Sequence, residues 1–162
     1  MVARHDGVVG SVRDVTTEQS RPQSEIDRIA ETHFDAEVAL SPIGATYLGI
    51  PGHDDALDDL SPAGFAAASR QRRETLAALE GATPVDEVDR VTIAAMRSLL
   101  GLEIETHDHG YDLLSLNGIE SGLHAIRRVY DAMPTDTPQQ WHTIARRLHA
   151  VPDAVNGWLE SQ

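Results

Sequence analysis

Apolar residues fall at three- and four-residue intervals along most of this chain, and no strong period-2 run accompanies them. That spacing fits one face of an α-helix, whereas a half-buried strand needs strict alternation. The fold class is therefore all-α, a helical array of about five to six helices. Start signals divide the array. Ser24, with Asp27 three residues on, opens a helix whose stripe is Ile26, Ala30, Phe34 and Val38, and Pro42 forces the chain out of it. Ser61-Pro62 opens a second helix lined by Phe65, Ser69, Arg72, Leu76 and Leu79, and Gly81 stops it. Asp86 caps a third. This one carries two apolar faces, Val88, Val91, Ala95, Leu99 and Leu102 on one and Ile93, Met96, Leu100 and Ile104 on the other. Two such faces predict a helix packed on two sides. Residues 107–118 break the period. Helical spacing returns over Ile119 to Tyr130, again from Thr137-Pro138 through Trp141, Ile144, Ala145 and Leu148, and finally past Pro152. Trp141 and Trp158 sit at core-like positions and read as packing residues.

Between the first two of these helices, His53 to Asp59 packs four aspartates and a histidine into seven positions. A calcium loop of the EF-hand kind needs alternating acidic ligands, a central glycine and a closing glutamate. This stretch lacks that glycine and that glutamate. It reads as a solvated turn that also sets negative charge near the N-terminus of the Ser61 helix, where the helix dipole favours it.

Several function classes are excluded or disfavoured by composition. The 26 acidic and 13 basic residues give a formal net charge of -13, so a nucleic-acid backbone would be repelled and no nucleic-acid partner is expected. There is no cysteine, which removes disulfides, thiolate zinc sites and cysteine nucleophiles. No apolar run approaches the ~20 residues of a membrane span, so no membrane partner is expected. Residues 1–23 contain no apolar core of a secretory signal and read as a disordered leader, with the helical region spanning 24–162. The expected location is cytoplasmic.

Metal and catalytic motifs are sparse. Glu103 and His107 are four apart, as are Glu120 and His124, so each pair shares a helix face and two facing pairs would hold a metal. Carboxylate-bridged di-metal bundles use Glu-x-x-His instead, and no glutamate here has a histidine three residues later. Ordinary helix-surface pairing is the simpler account of all four residues. His107-Asp108-His109 precedes Gly110 and reads as a loop. Gly118-Ile119-Glu120-Ser121-Gly122 lacks the spacing of a nucleophile elbow, and Gly7-Val8-Val9-Gly10 is neither a phosphate loop nor a dinucleotide fingerprint. No catalytic set is assembled, and no cofactor is assigned to these residues.

Two stretches carry a resemblance. In "LSPIGATYLGIPGHDDALDDLSP", Pro42, Ala45, Thr46, Gly49, Asp55, Asp58 or Asp59, Leu60, Ser61 and Pro62 follow a Pro-x-x-Ala-Thr-x-x-Gly pattern, then an acidic turn, then Leu-Ser-Pro. In "YDAMPTDTPQQWHTIARRLHAVPDAVNGWLES", Met133, Pro134, Thr137, Trp141, Arg147, Leu148 and Pro152 follow a Met-Pro, a threonine-started helix and Arg-Leu-x-x-x-Pro. Together they resemble the N-terminal region of a bacterial family, domain of unknown function 885, across about residues 24–162. The resemblance implies a longer helical protein that looks like a zinc-dependent peptidase. Its His-Glu-Gly-x-Pro-Gly-His type motif lies well downstream, its histidines binding zinc and its glutamate activating water. None of that motif is in this chain, so the resemblance implies a truncated, inactive N-terminal fragment that walls one side of a cleft. Its partner would be the rest of the catalytic domain, and zinc and a peptide substrate are implied only for the full-length relative. The "YDLLSLNGI" segment should then expose an apolar patch. Two further readings stay open: a self-sufficient helical protein-interaction module, and a small metal-binding bundle using Glu103, His107, Glu120 and His124.

Overall fold

The computed structural model describes residues 21–114 and 116–162. Most of the expected leader, with its Gly7–Gly10 stretch, lies outside the described residues. Among them are seven α-helices, two 3₁₀ turns (Tyr111–Leu113 and Val129–Ala132) and no strand, in agreement with the all-α reading. The helices are α1 (Glu25–Leu40), α2 (Pro42–Leu48), α3 (Pro62–Gly81), α4 (Glu87–Asp108), α5 (Gly122–Arg128), α6 (Pro138–His149) and α7 (Val151–Glu160).

The starts are set by the capping residues the sequence offers. Ser24 accepts a hydrogen bond from the Asp27 N–H, and Asp27 accepts one from the Ser24 N–H, a capping box with aspartate in the usual glutamate place. Ser61 and Asp86 cap α3 and α4 by accepting from a backbone N–H in the same way, and Thr137 with Gln140 builds a second box on α6. Each of these side chains satisfies N–H groups that a helix end leaves without partners.

Two apolar cores result. Ile26, Leu79 and Ile93 are buried between α1, α3 and α4, with Ile29, Leu76 and Met96 packed around them. Ile43, Ile126, Val129 and Ala154 form the second core, from α2, α5, the 3₁₀ turn after it and α7, flanked by Leu57, Leu60, Tyr130 and Val155. The first core is pinned at one end by Asp89, which is completely buried. It accepts hydrogen bonds from the Ser24 hydroxyl (2.8 Å), the Val85 N–H (2.9 Å) and Arg21 (3.0 Å). Arg21 also pairs with Asp27 at 2.5 Å and Asp86 at 3.1 Å, tying the start of α1 to the start of α4. A buried carboxylate needs such a full set of donors.

Several readings of the sequence are corrected. The stretch after Pro42 is helical: proline suits the first turn, where its missing N–H is no loss, and Ser41 ends α1 and caps α2 at once. Gly49 closes α2 at φ 72°, a conformation costly for any residue with a Cβ. Helix α4 runs on through His107 and Asp108, with His109 as its cap, so that trio is a helix end and not a loop. Only one face of α4 is covered among the described residues. Ile93, Leu100 and Ile104 are buried, while Val88, Val91, Leu99 and Leu102 are more than half exposed. Trp158 is buried as expected. Trp141 instead lies more than half exposed, its indole N–H donating to the Thr135 carbonyl (2.9 Å).

Candidate functional site

The acidic turn His53 to Asp59 is held at nearly every residue. Asp58 accepts hydrogen bonds from the Ile43 N–H (2.8 Å) and the Ser41 hydroxyl (2.8 Å), so it caps α2 and not the Ser61 helix. Asp54 accepts from the Thr46 hydroxyl (2.9 Å), Asp55 from Arg146 (3.1 Å) and Asp59 from the Ser61 N–H (3.0 Å). Four aspartates thus do four separate structural jobs. Only Asp59 sits at the start of α3, where the helix dipole favours negative charge.

Behind the turn lies Arg147 of α6, a fully buried guanidinium. Its Nε donates to the Ala56 carbonyl (2.7 Å), and its Nη2 donates to the carbonyls of Pro42 (3.0 Å) and His53 (3.2 Å). The first of these residues lies in the acidic turn, the second at the start of α2 and the third at the head of the turn. One side chain therefore fixes the path of residues 42–56 from a position about a hundred residues further along. Burial lowers the Arg147 pKa, and the neighbouring Asp54, Tyr130, Asp58 and Asp55 raise it in part. Arginine stays charged under such conditions, and its planar fork suits several carbonyls at once. Asp58 is pushed the other way. Burial raises its pKa, and the Ile43 N–H, the Ser41 hydroxyl and the Arg147 charge offset only part of that.

Close packing completes the junction. The Ser161 hydroxyl donates to the Leu60 carbonyl (2.6 Å). A Cβ on Gly122 would come within 2.7 Å of Trp158 and 2.8 Å of Leu60, and one on Gly157 within 3.2 Å of the Ser61 nitrogen. A side chain on Gly122 would force Trp158 or Leu60 to shift, whereas at Gly157 the neighbouring backbone would have to give by a few tenths of an ångström.

A cleft of about 420 Å³ opens beside this junction, bounded by Glu37, Asp58, Arg72, Glu103 and Asp112 with Leu40, Leu60 and Phe65. Its charges answer one another. Arg72 reaches Glu103 at 2.7 Å and Glu37 at 3.3 Å, and Asp112 meets His107 Nδ1 at 2.5 Å. Two of the four metal candidates are thereby accounted for: Glu103 is paired with Arg72 and His107 with Asp112. Of the other two, Glu120 pairs with Arg128, and His124 Nδ1 meets the Ser121 hydroxyl at 2.8 Å. Among the described residues no group of three or more His, Asp or Glu stands close enough to hold a metal ion. Nor is any described helix long and apolar enough to cross a membrane.

The geometry defines a class: an all-helical array in which two sequence-distant stretches, 42–62 and 133–161, close on one buried arginine. Residues 42–162 match the family described as bacterial protein of unknown function (DUF885), and the chain belongs to that family. The match begins at the first residue of α2 and takes in the whole junction, while α1 precedes it. No curated protein matches the chain.

The two stretches that carried the resemblance are thus one structural unit. In the sequence Arg147 is visible as a letter of the second motif, and its role as the tie between the two is not. A signal for burial exists all the same: Arg147 follows Ile144 by three residues and precedes Val151 by four, a core register. A charged residue in that register must bring its own acceptors.

Proposed function

We propose that this chain is the N-terminal helical part of a zinc-dependent, peptidase-like hydrolase, and that it contributes packing surface and no catalytic group. Membership of the family supports the reading. The observation that carries it is the run after α4. Tyr111, Leu114, Leu116 and Ile119 are all exposed, Ile119 at 85%. Four large apolar side chains open to water within nine residues mark a contact surface. In this reading the polypeptide that bears the metal motif covers them. The donors in the described residues do not suit zinc, since Glu103, His107, Glu120 and His124 are each engaged elsewhere. No step through a metal is assigned to them. Zinc and the peptide substrate belong to the downstream motif that the resemblance implies.

The test is the mass of the native product, with a read of the coding sequence past residue 162. A product several times heavier than 17.6 kDa, with a His-Glu motif in frame and chelator-sensitive peptidase activity, is the expected result. A heavier product with no such motif, or one whose peptidase assay stays silent with zinc supplied, overturns it. The same exposed run favours a second reading, a helical protein-interaction module. That reading takes over if the native product is 17.6 kDa and binds a specific protein through Leu114 and Leu116.

A further inference from the structure

The chain has two asparagines, and each is followed by glycine: Asn117-Gly118 and Asn156-Gly157. Such a pair can react with itself. A glycine nitrogen, with no Cβ crowding it, can bond to the Cγ of the preceding asparagine and close a five-membered ring. Both asparagines are exposed, so the backbone decides which of them reacts. Gly157 lies inside α7, where its N–H is spent on the helical hydrogen bond to the Asp153 carbonyl. The helix must open before that nitrogen can turn toward Cγ. Gly118 lies in the loop between the 3₁₀ turn Tyr111–Leu113 and α5. It is itself exposed, and its N–H has no backbone acceptor among the described residues.

The turn around Asn117 adds a second feature. The side-chain oxygen of Asn117 accepts hydrogen bonds from the Ile119 N–H (2.9 Å) and the Glu120 N–H (2.6 Å), and its Nδ2 donates to the Glu120 carbonyl. We propose that Asn117-Gly118 is a self-modifying site, which converts through a succinimide to aspartate and isoaspartate. The Gly118 nitrogen gives its proton to solvent base and bonds to the Asn117 Cγ. The electron pair of the C=O bond moves onto Oδ1, at which two N–H groups already point. Donors set where charge develops lower a barrier. The pair then returns, the Cγ–Nδ2 bond breaks, and the nitrogen leaves as ammonia with a proton from water. Water opens the ring at one carbonyl or the other, giving the aspartyl or the isoaspartyl chain. Nothing is oxidised or reduced, and no cofactor enters. The product falls within the exposed apolar run. It sets a carboxylate, ionised at neutral pH, between Leu116 and Ile119, and the isoaspartyl form adds a methylene to the main chain there. A surface of Tyr111, Leu114, Leu116 and Ile119 then carries a charge that an apolar partner would have to desolvate. The effect on a covering polypeptide rests on the hydrolase reading, and the chemistry of the site does not.

The test ages the purified 162-residue chain in warm, mildly alkaline buffer and follows both sites by peptide mapping. Asn117 should convert at least about tenfold faster than Asn156, the ratio that a helix opening of about 1.4 kcal/mol sets. Aspartate and isoaspartate should both appear at position 117, and the rate should rise with pH because the attacking nitrogen must lose its proton. The folded chain should convert Asn117 no more slowly than a free peptide of residues 111–123, since the turn keeps the two donors in place. Gly118→Ala, whose methyl meets nothing within 4 Å, should melt with the parent and convert severalfold more slowly. Asn117→Gln, one methylene too long for the five-membered ring, should not convert on the same timescale. Equal conversion at Asn117 and Asn156 overturns the proposal, and so does a Gly118→Ala chain that reacts as fast as the parent. A free peptide that outruns the folded chain by about tenfold or more overturns it too, because the fold then protects the site.

Discussion

Replacing Arg147 with methionine should cost about 3 kcal/mol of stability, with most of the disturbance confined to residues 42–60. Methionine fills much of the aliphatic volume, so little cavity is left. The loss is three hydrogen bonds from a charged donor to backbone carbonyls, at 2.7, 3.0 and 3.2 Å. Two of the carbonyls keep another partner: Pro42 accepts from the Thr46 hydroxyl and His53 from the Ala56 N–H. Each of those costs about 0.5–1.5 kcal/mol to lose. The Ala56 carbonyl takes the shortest bond of the three, and losing it costs about 1–3 kcal/mol. Relief from burying a guanidinium offsets part of the sum. In a domain of this size about 3 kcal/mol lowers Tm by roughly 6–12 °C. Urea unfolding of Arg147→Met, Arg147→Lys and Leu148→Ala would measure it. Lysine cannot span three carbonyls with one ammonium, so it should recover no more than about a third of the loss. Leu148 is half exposed, and its truncation should cost under about 1 kcal/mol. Amide exchange should speed up most over 42–60, and in α3 and α4 by no more than the lower global stability imposes. If Arg147→Met stays within about 0.5 kcal/mol of the parent, or if exchange rises evenly across the chain, the arginine does not fix the turn.

Asp58→Asn keeps an acceptor for the Ile43 N–H and should cost under about 1 kcal/mol, whereas Asp58→Ala strands that N–H and should cost about 1–3 kcal/mol in urea titrations. An acid whose pKa is raised by folding favours the fold below the ordinary carboxylate range and loses that contribution as pH climbs through its folded value. The stability of Asp58→Asn relative to the parent should therefore improve between about pH 3 and pH 7. Asp89 behaves oppositely: hydrogen bonds from the Val85 N–H, Ser24 and Arg21 hold its pKa down against burial. Its contribution is present above the ordinary carboxylate range and lost as pH falls through the folded value, so Asp89→Asn should be most damaging near neutrality and converge on the parent in acid. Two glycines should move in opposite directions on thermal melts. Gly101→Ala, with nothing within 4 Å of the new methyl, should gain about 0.5–1 kcal/mol of helix propensity. Gly64→Ala would drive its methyl into the Asp59 backbone carbonyl and should lose about 2 kcal/mol or more despite the same propensity gain.

Helix positions are legible in the sequence because capping chemistry is local: Ser24, Ser61-Pro62, Asp86 and Thr137-Pro138 each act within a few residues of themselves. Interactions about a hundred residues long are not. The acidic turn looks solvated in sequence because its answering cation, Arg147, lies on α6. Helix α2 escapes notice because seven residues are too few to show a period, and a proline at the start reads equally as an ending. Both faces of α4 carry the same apolar pattern, and only the arrangement of α1 and α3 decides which one is buried. Glu103 and His107 share a face of α4, whereas Glu120 lies before α5 and shares none with His124, and spacing alone does not reveal that Arg72, Asp112, Arg128 and Ser121 stand nearer to hand.

Arg147 also imposes an order of events. The first core needs only residues up to Ile93, so it can close early in synthesis, with α2 and the acidic turn looped out between α1 and α3. The second core is split around α3 and α4, with α2 and the turn before them and α5 to α7 after. A nascent chain that has reached α4 on the ribosome holds Ile43 and Leu57 with nothing to bury them, and the carbonyls of Pro42, His53 and Ala56 still without their guanidinium. About ninety residues must emerge after Ala56 before its donor arrives. During that interval the acidic turn is an open hinge, and its four negative charges help to keep the half-made protein soluble.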